Sequence, residues 1–212
     1  MGKRRATTAT ERTARRRLIL SATENLLESW SLDDVNVDRI ADLAGVAKGT
    51  VYRYYRTRGE LILEVFDSHH GLWCNALATQ IDGSAFEPTP DDIGGMVVAG
   101  LAGDPLLVRL FGRIGSLLRG SVSPQAARLF QAHRAARITR VATALERRIS
   151  NVTALKAERW MLRIEFVIAG MASLAHSPSA RATAVELSDT LFPDLGLESE
   201  LRHITATTLS LP

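Results

Sequence analysis

At 212 residues the chain is long enough for one or two compact domains around a substantial core. Its 46% apolar and 23% charged residues exclude extensive disorder. The longest apolar run, residues 166–175, is about half of the ~20 residues a membrane-spanning helix needs, so no membrane partner is expected. The net charge of +3 is unevenly placed: residues 1–66 hold 12 Lys+Arg against 9 Asp+Glu, and the remainder holds 14 of each.

The chain opens on a basic arm, residues 1–9, that leads into a first helix. Lys3, Arg4, Arg5, Arg12, Arg15, Arg16 and Arg17 are opposed only by Glu11, an arrangement attracted to a polyanion. No apolar stretch follows it, so it does not read as a secretory signal. The solitary Cys74 excludes an internal disulfide and any multi-cysteine metal site. Together these features predict a cytoplasmic protein.

Every later segment reads as helix, and the predicted class is all-α, with about nine to ten helices. From Thr10 to about Ser29, Ala14, Leu18, Ala22 and Leu26 recur every four residues. Short helices are predicted over Val37–Ala44 and Lys48–Tyr55. A long one starts near Arg58 and reaches about Thr79, with Gly71 as its weak point. After the turn-rich residues 84–90, helices are predicted at 91–102, 105–119, 124–149, 154–175, 181–191 and 197–209. Asp104-Pro105 and Ser123-Pro124 each set a capping side chain before a proline at the first helical position.

Residues 35–61 carry the informative pattern. Asn36 is a good N-cap for the helix starting at Val37. Ile40 and Leu43 are read as facing inward, and Ala41 is small where a second helix must cross closely. Gly45 stands where a left-handed residue turns the chain, Val46 plugs the corner, and Val51 and Tyr54 fall on one face of the next helix. These are the requirements of two short, steeply crossed helices, a helix-turn-helix over 36–55. On the other face Lys48, Thr50, Tyr52, Arg53, Tyr54, Arg56 and Arg58 crowd eleven residues. They offer charge and hydroxyls to phosphates and a guanidinium to guanine. Seven helical residues span about 10 Å, which suits a major groove roughly 12 Å wide.

Ile40-Ala41, Ala44-Gly45-Val46, Gly49-Thr50-Val51-Tyr52, Tyr54-Tyr55 and Thr57-Arg58-Gly59-Glu60-Leu61 occur in order. With them, residues 10–70 resemble the DNA-binding domain of the TetR family of bacterial regulators. The resemblance implies an N-terminal three-helix helix-turn-helix domain. A C-terminal helical ligand-binding and dimerisation domain, residues 71–212, would follow it. It also implies a homodimer on a double-stranded DNA operator and release by a largely apolar small-molecule inducer. Lys48, Gly49, Thr50, Tyr52, Arg53, Tyr54 and Arg58 would then meet DNA, with Arg12, Arg15 and Arg16 in support. Three residues depart from the family pattern: Ala47 replaces a capping Ser, Gly59 an acidic residue, and Trp30 a helix-ending Gly.

Helix 154–175 is apolar on two sides. Leu155, Leu162, Phe166, Ala169 and Ser173 form one stripe; Trp160, Ile164, Val167, Met171 and Leu174 form another. One side can serve its own core and the other a second subunit. The second stripe is taken as the dimer interface, with 181–191 or 197–209 as its companion. Phe111, Phe130, His133 and Arg134 are the candidate ligand contacts. Arg134 interrupts an apolar stripe, where it could meet a ligand carboxylate or pair with an internal acid. No nucleophile elbow, phosphate-cradling loop or zinc-binding pair is present, so neither an enzyme nor a cofactor is expected. The competing readings are a DNA-binding protein without a ligand and an interaction module that has lost DNA.

Overall fold

The structure is a computed structural model that describes residues 9–175 and 197–210. Among them are nine helices and no strand: α1 (Ala9–Ser29), α2 (Val37–Leu43), α3 (Lys48–Tyr54), α4 (Arg58–Asp82), α5 (Pro90–Ala102), α6 (Pro105–Gly120), α7 (Pro124–Arg148), α8 (Ala154–Ala175) and α9 (Leu197–Ser210). The helix expected at 181–191 and most of the basic arm lie outside the described residues.

Local chemistry sets the boundaries. Thr57 caps α4 by accepting from the Glu60 N–H (3.1 Å). Thr89 and Asp92 form a reciprocal capping box at α5. Asp104 accepts from the Leu107 N–H (2.9 Å) and Ser123 from the Ala126 N–H (3.3 Å), each followed by the predicted proline. Gly71 does not interrupt α4. It is buried, and a Cβ there would come within 3.0 Å of the Arg137 guanidinium, so its smallness admits α7.

Helices α1, α2 and α3 close on Ile19, Leu27, Ile40, Val51 and Tyr55, with α4 contributing Leu61 and Ile62 to the same core. The rest of α4 packs against α5, α6 and α7, and α8 against α6, α7 and α9. Helix α4 therefore runs unbroken from the first group into the second. Among the described residues no single helix is long and apolar enough to cross a membrane.

Helix α8 corrects the expected interface. Trp160 and Ile164 are wholly buried within one chain, so they belong to its own core. Val167 and Met171 are half-buried, and of the five residues assigned there only Leu174 is exposed. The outward face is the other stripe, with Leu155 at 58% and Phe166 at 68% exposure. A helix with two apolar faces does not reveal in its sequence which one its own chain covers.

Candidate nucleic-acid interface

Helix α2 starts where Asn36 Oδ1 accepts from the Arg39 N–H (3.0 Å). It ends in a tight turn. The Val46 N–H reaches back to the Ala41 carbonyl (3.0 Å), and Gly45 takes φ +63°, which a β-carbon would resist. Helix α3 leaves this turn with Ala47 as its N-cap and no side-chain hydrogen bond, as the missing Ser predicts. Val51 and Tyr55 anchor it inward; Lys48, Gly49, Tyr52 and Arg53 stand exposed.

The outward residues are not equivalent. Arg53 makes no hydrogen bond or ion pair among the described residues, and space is open around Gly49. Lys48 bonds Asp38 Oδ2 at 2.8 Å, and that bond pushes its ammonium pKa up from the ordinary lysine value. Thr50 and Tyr54 are half-buried at the edge. Tyr55, named in the sequence pattern but not as a contact, is the tyrosine that fills the core. Burial raises its phenol pKa, and its oxygen accepts from Arg16 Nε (3.3 Å).

Two expected DNA cations have other duties. Arg16 binds Glu64 of α4 through Nε (3.0 Å) and Nη2 (2.5 Å), and this pairing raises its pKa further above an already high value. Arg58 is half-buried and donates from Nη1 to the carbonyls of Asp33 (3.2 Å) and Val35 (2.8 Å), tying down the α1–α2 connection. Arg12 and Arg15 remain exposed on α1, so these cations sit on a helix rather than on the arm.

The face is clamped to the rest of the molecule. Thr57 Oγ1 donates to the Ser121 carbonyl (2.5 Å), and Glu60 accepts from the Ser123 and Arg56 N–H groups (3.3 and 2.8 Å). Burial raises the Glu60 pKa, but these hydrogen bonds outweigh it and hold the carboxyl below its usual value. Gly59 now has its reason: a β-carbon there would lie 2.1 Å from the Ser121 oxygen, leaving no room for a side chain under the α6–α7 turn. At the other end of α6, Arg113 pairs with Asp33 and Arg109 donates to the Trp30 carbonyl (2.7 Å). The Arg39 guanidinium covers the Trp30 ring at 4.1 Å.

The candidate ligand residues divide. Phe111, Phe130 and Arg134 line a cavity of about 250 Å³ between α6, α7 and α8. His133 does not reach it; the ring is turned to Asp67 (2.8 Å) on the side of a groove beneath α3. Arg134 takes the internal-acid alternative and pairs with Glu165, which is only 3% exposed. Glu165 also binds His70 Nε2 (2.8 Å), and Arg137 binds Asp67 (2.6 Å). Sequence reading missed this cluster, although Asp67, His70 and Cys74 fall at three- and four-residue steps along one face of α4. His70, Cys74 and Glu165 place three possible metal donors within 4.8 Å of one another. Arg134 already occupies Glu165, and Arg137 Nη1 lies 3.5 Å from His70 Nδ1, so two of the three donors are engaged by guanidiniums before any ion arrives. Adjacent His69 points elsewhere, bridging Glu24 (3.0 Å) and Asp104 (2.6 Å).

The comparisons agree with this geometry. Residues 19–65 match the family model described as bacterial regulatory proteins, tetR family. Residues 67–210 match that of the tetracyclin repressor-like C-terminal domain. A search of the curated proteins found no match. Among solved structures, the chain is similar to the transcriptional regulator FadR from Bacillus subtilis in complex with stearoyl-CoA (18% identity, TM-score 0.52, covering 92% of this chain and 98% of that one). It is also similar to a multidrug binding protein, EbrR, complexed with imidazole (15%, 0.59, 93% and 96%). A third is a TetR transcriptional regulator from Rhodococcus sp. RHA1 (18%, 0.55, 94% and 98%). With a helix-turn-helix in front, the matched helical region behind, and family models over most of its length, the chain belongs to the TetR family of bacterial transcriptional regulators.

Proposed function

We propose that the chain is a repressor that binds a palindromic operator as a homodimer and is released by a small molecule. The observation that carries the DNA reading is the exposed face of α3. Gly49 allows close approach, Tyr52 offers a hydroxyl to phosphate, and Arg53 presents a guanidinium with no competing partner among the described residues. Lys48 exchanges Asp38 for phosphate at the cost of one exposed ion pair.

The dimer reading rests on the outer face of α8. Leu155, Arg159, Leu162, Phe166, Ala169 and Ser173 recur at alternating four- and three-residue steps, the seam of a helix that pairs with another helix. A second copy covers it, and the two α3 helices then reach half-sites about one turn apart, ~34 Å. Release is supported by α6, which lines the cavity through Phe111 and holds the DNA-binding end through Arg113 and the Ser121 turn. A ligand that favours another position of α6 shifts the spacing only by its difference in affinity for the two states. Two of the solved relatives were captured with small molecules, stearoyl-CoA and imidazole, which is in keeping with this reading.

Selection of bound duplexes from random DNA tests the proposal. A recovered palindrome, bound by two chains, is the expected outcome. A purified protein that stays monomeric and binds no duplex at low ionic strength would sink it.

A further inference from the structure

The cavity between α6, α7 and α8 has a distinctive wall. Buried Phe66, Phe111 and Phe130 line it, Phe166 stands at its edge toward the outer face of α8, and Ile114 and Leu118 close it from α6. Polar groups reach it mainly on one side. There Arg134 gives Nε (2.6 Å) and Nη2 to one oxygen of Glu165, and His70 takes the other oxygen (2.8 Å). Behind them Arg137 and His133 share Asp67 (2.6 and 2.8 Å). Two guanidiniums and two carboxylates cancel when the imidazoles are uncharged.

An entering molecule therefore meets charges that are already spent. A carboxylate would share Arg134 with Glu165, and in these buried surroundings the repulsion between the two anions is poorly screened. A cation would face Arg134 and find both Glu165 oxygens taken. What remains is the second amino group of Arg134 and the amide of Gln131 at the rim, neither with a hydrogen-bond partner among the described residues. Arg134 can only donate and the Gln131 amide can donate as well, so a ligand that accepts satisfies both. The phenylalanine rings along it favour an aromatic ring, stacked or edge-on. The volume, about 250 Å³, lies just under the ~300–1,000 Å³ of drug-sized sites, which limits the occupant to one or two rings.

Resting on the ligand-responsive reading above, we propose that this cavity takes a compact, uncharged aromatic molecule bearing an oxygen acceptor, clasped by the phenylalanines and bonded by Arg134 and Gln131.

The test uses the full chain and three size-matched probes, acetophenone, benzoate and benzylammonium, with binding read by calorimetry and thermal shift. Acetophenone binds, and each charged probe binds at least about tenfold more weakly because it enters with an uncompensated charge. Glu165→Gln keeps the shape but frees the charge of Arg134, and moves the preference at least about tenfold toward benzoate. Leu118→Trp fills the mouth and removes acetophenone binding while helicity and duplex binding persist. Equal or tighter binding of either charged probe to the unaltered protein overturns the proposal, as does acetophenone binding that Leu118→Trp leaves intact. If none of the three binds while stearoyl-CoA releases an operator duplex, the ligand class falls and the regulator reading stands. Acetophenone binding by a protein that holds no duplex leaves the cavity's chemistry standing and removes the regulator reading.

Discussion

The recognition helix and the α4–α7–α8 core treat charge in opposite ways. On α3, Arg53 is exposed and unpaired among the described residues, and Lys48 has a solvent-facing partner in Asp38. In the core, Glu165 and His70 are buried and fully engaged, and the arginines beside them are paired. Free charge at a surface costs the fold nothing and is available to a polyanion. Buried charge is tolerable only when paired, and then it fixes how helices pack and which ligands can enter.

The sharpest way to break the contrast is to unpair the core. Glu165→Ala strands Arg134 and His70 and should cost ~3–5 kcal/mol, read by urea denaturation. A loss below about 1 kcal/mol would mean the cluster is wetter than its burial implies. At the clamp between the regions, Gly59→Ala sets two effects against each other. Helix propensity alone predicts stabilisation by up to ~1 kcal/mol. The overlap with the Ser121 oxygen should win and destabilise by ~1–3 kcal/mol in thermal melts. A higher melting temperature would show that the α6–α7 turn yields freely.

The recognition face should respond in the opposite currency. Arg53→Ala leaves folding stability within about 0.5 kcal/mol, as for an unpartnered surface residue, yet costs ~1–3 kcal/mol on the preferred duplex and less on a scrambled one. Arg58→Ala weakens both duplexes alike, because its guanidinium anchors the Asp33–Val35 backbone. Equal losses from both substitutions on both duplexes would erase the distinction between reading and positioning. The smallest effect is a gain: Ala47→Ser supplies the missing cap of α3 and should stabilise by about 1 kcal/mol or less in denaturant titrations. No gain would show that the first N–H groups of α3 need no side-chain acceptor.

Acid should loosen the clamp, a loss read by denaturant titrations at decreasing pH. The Glu60 carboxyl sits below its usual value because folded-state hydrogen bonds favour its charged form. Its contribution is complete above the ordinary carboxylate value and is lost as pH falls through the lowered one.

Much was legible before any coordinates. The caps at Asn36, Thr57, Asp104 and Ser123, the turn at Gly45 and the outward set Lys48, Tyr52 and Arg53 follow from rules acting within a few residues, so α2 to α4 and the starts of α6 and α7 fell where the sequence puts them. The family resemblance rests on the same short-range pattern. Three matters were decided only by the tertiary structure. Arg16 meets Glu64 and Arg58 meets backbone carbonyls, partners supplied by distant segments. The core face of α8 was chosen by α6 and α7, not by its own two-sided pattern. Arg134 found its acid 31 residues away on another helix. Propensity and capping are local energies that a sequence states directly; which charge meets which, and which apolar face is covered, depends on chain segments brought together only by folding.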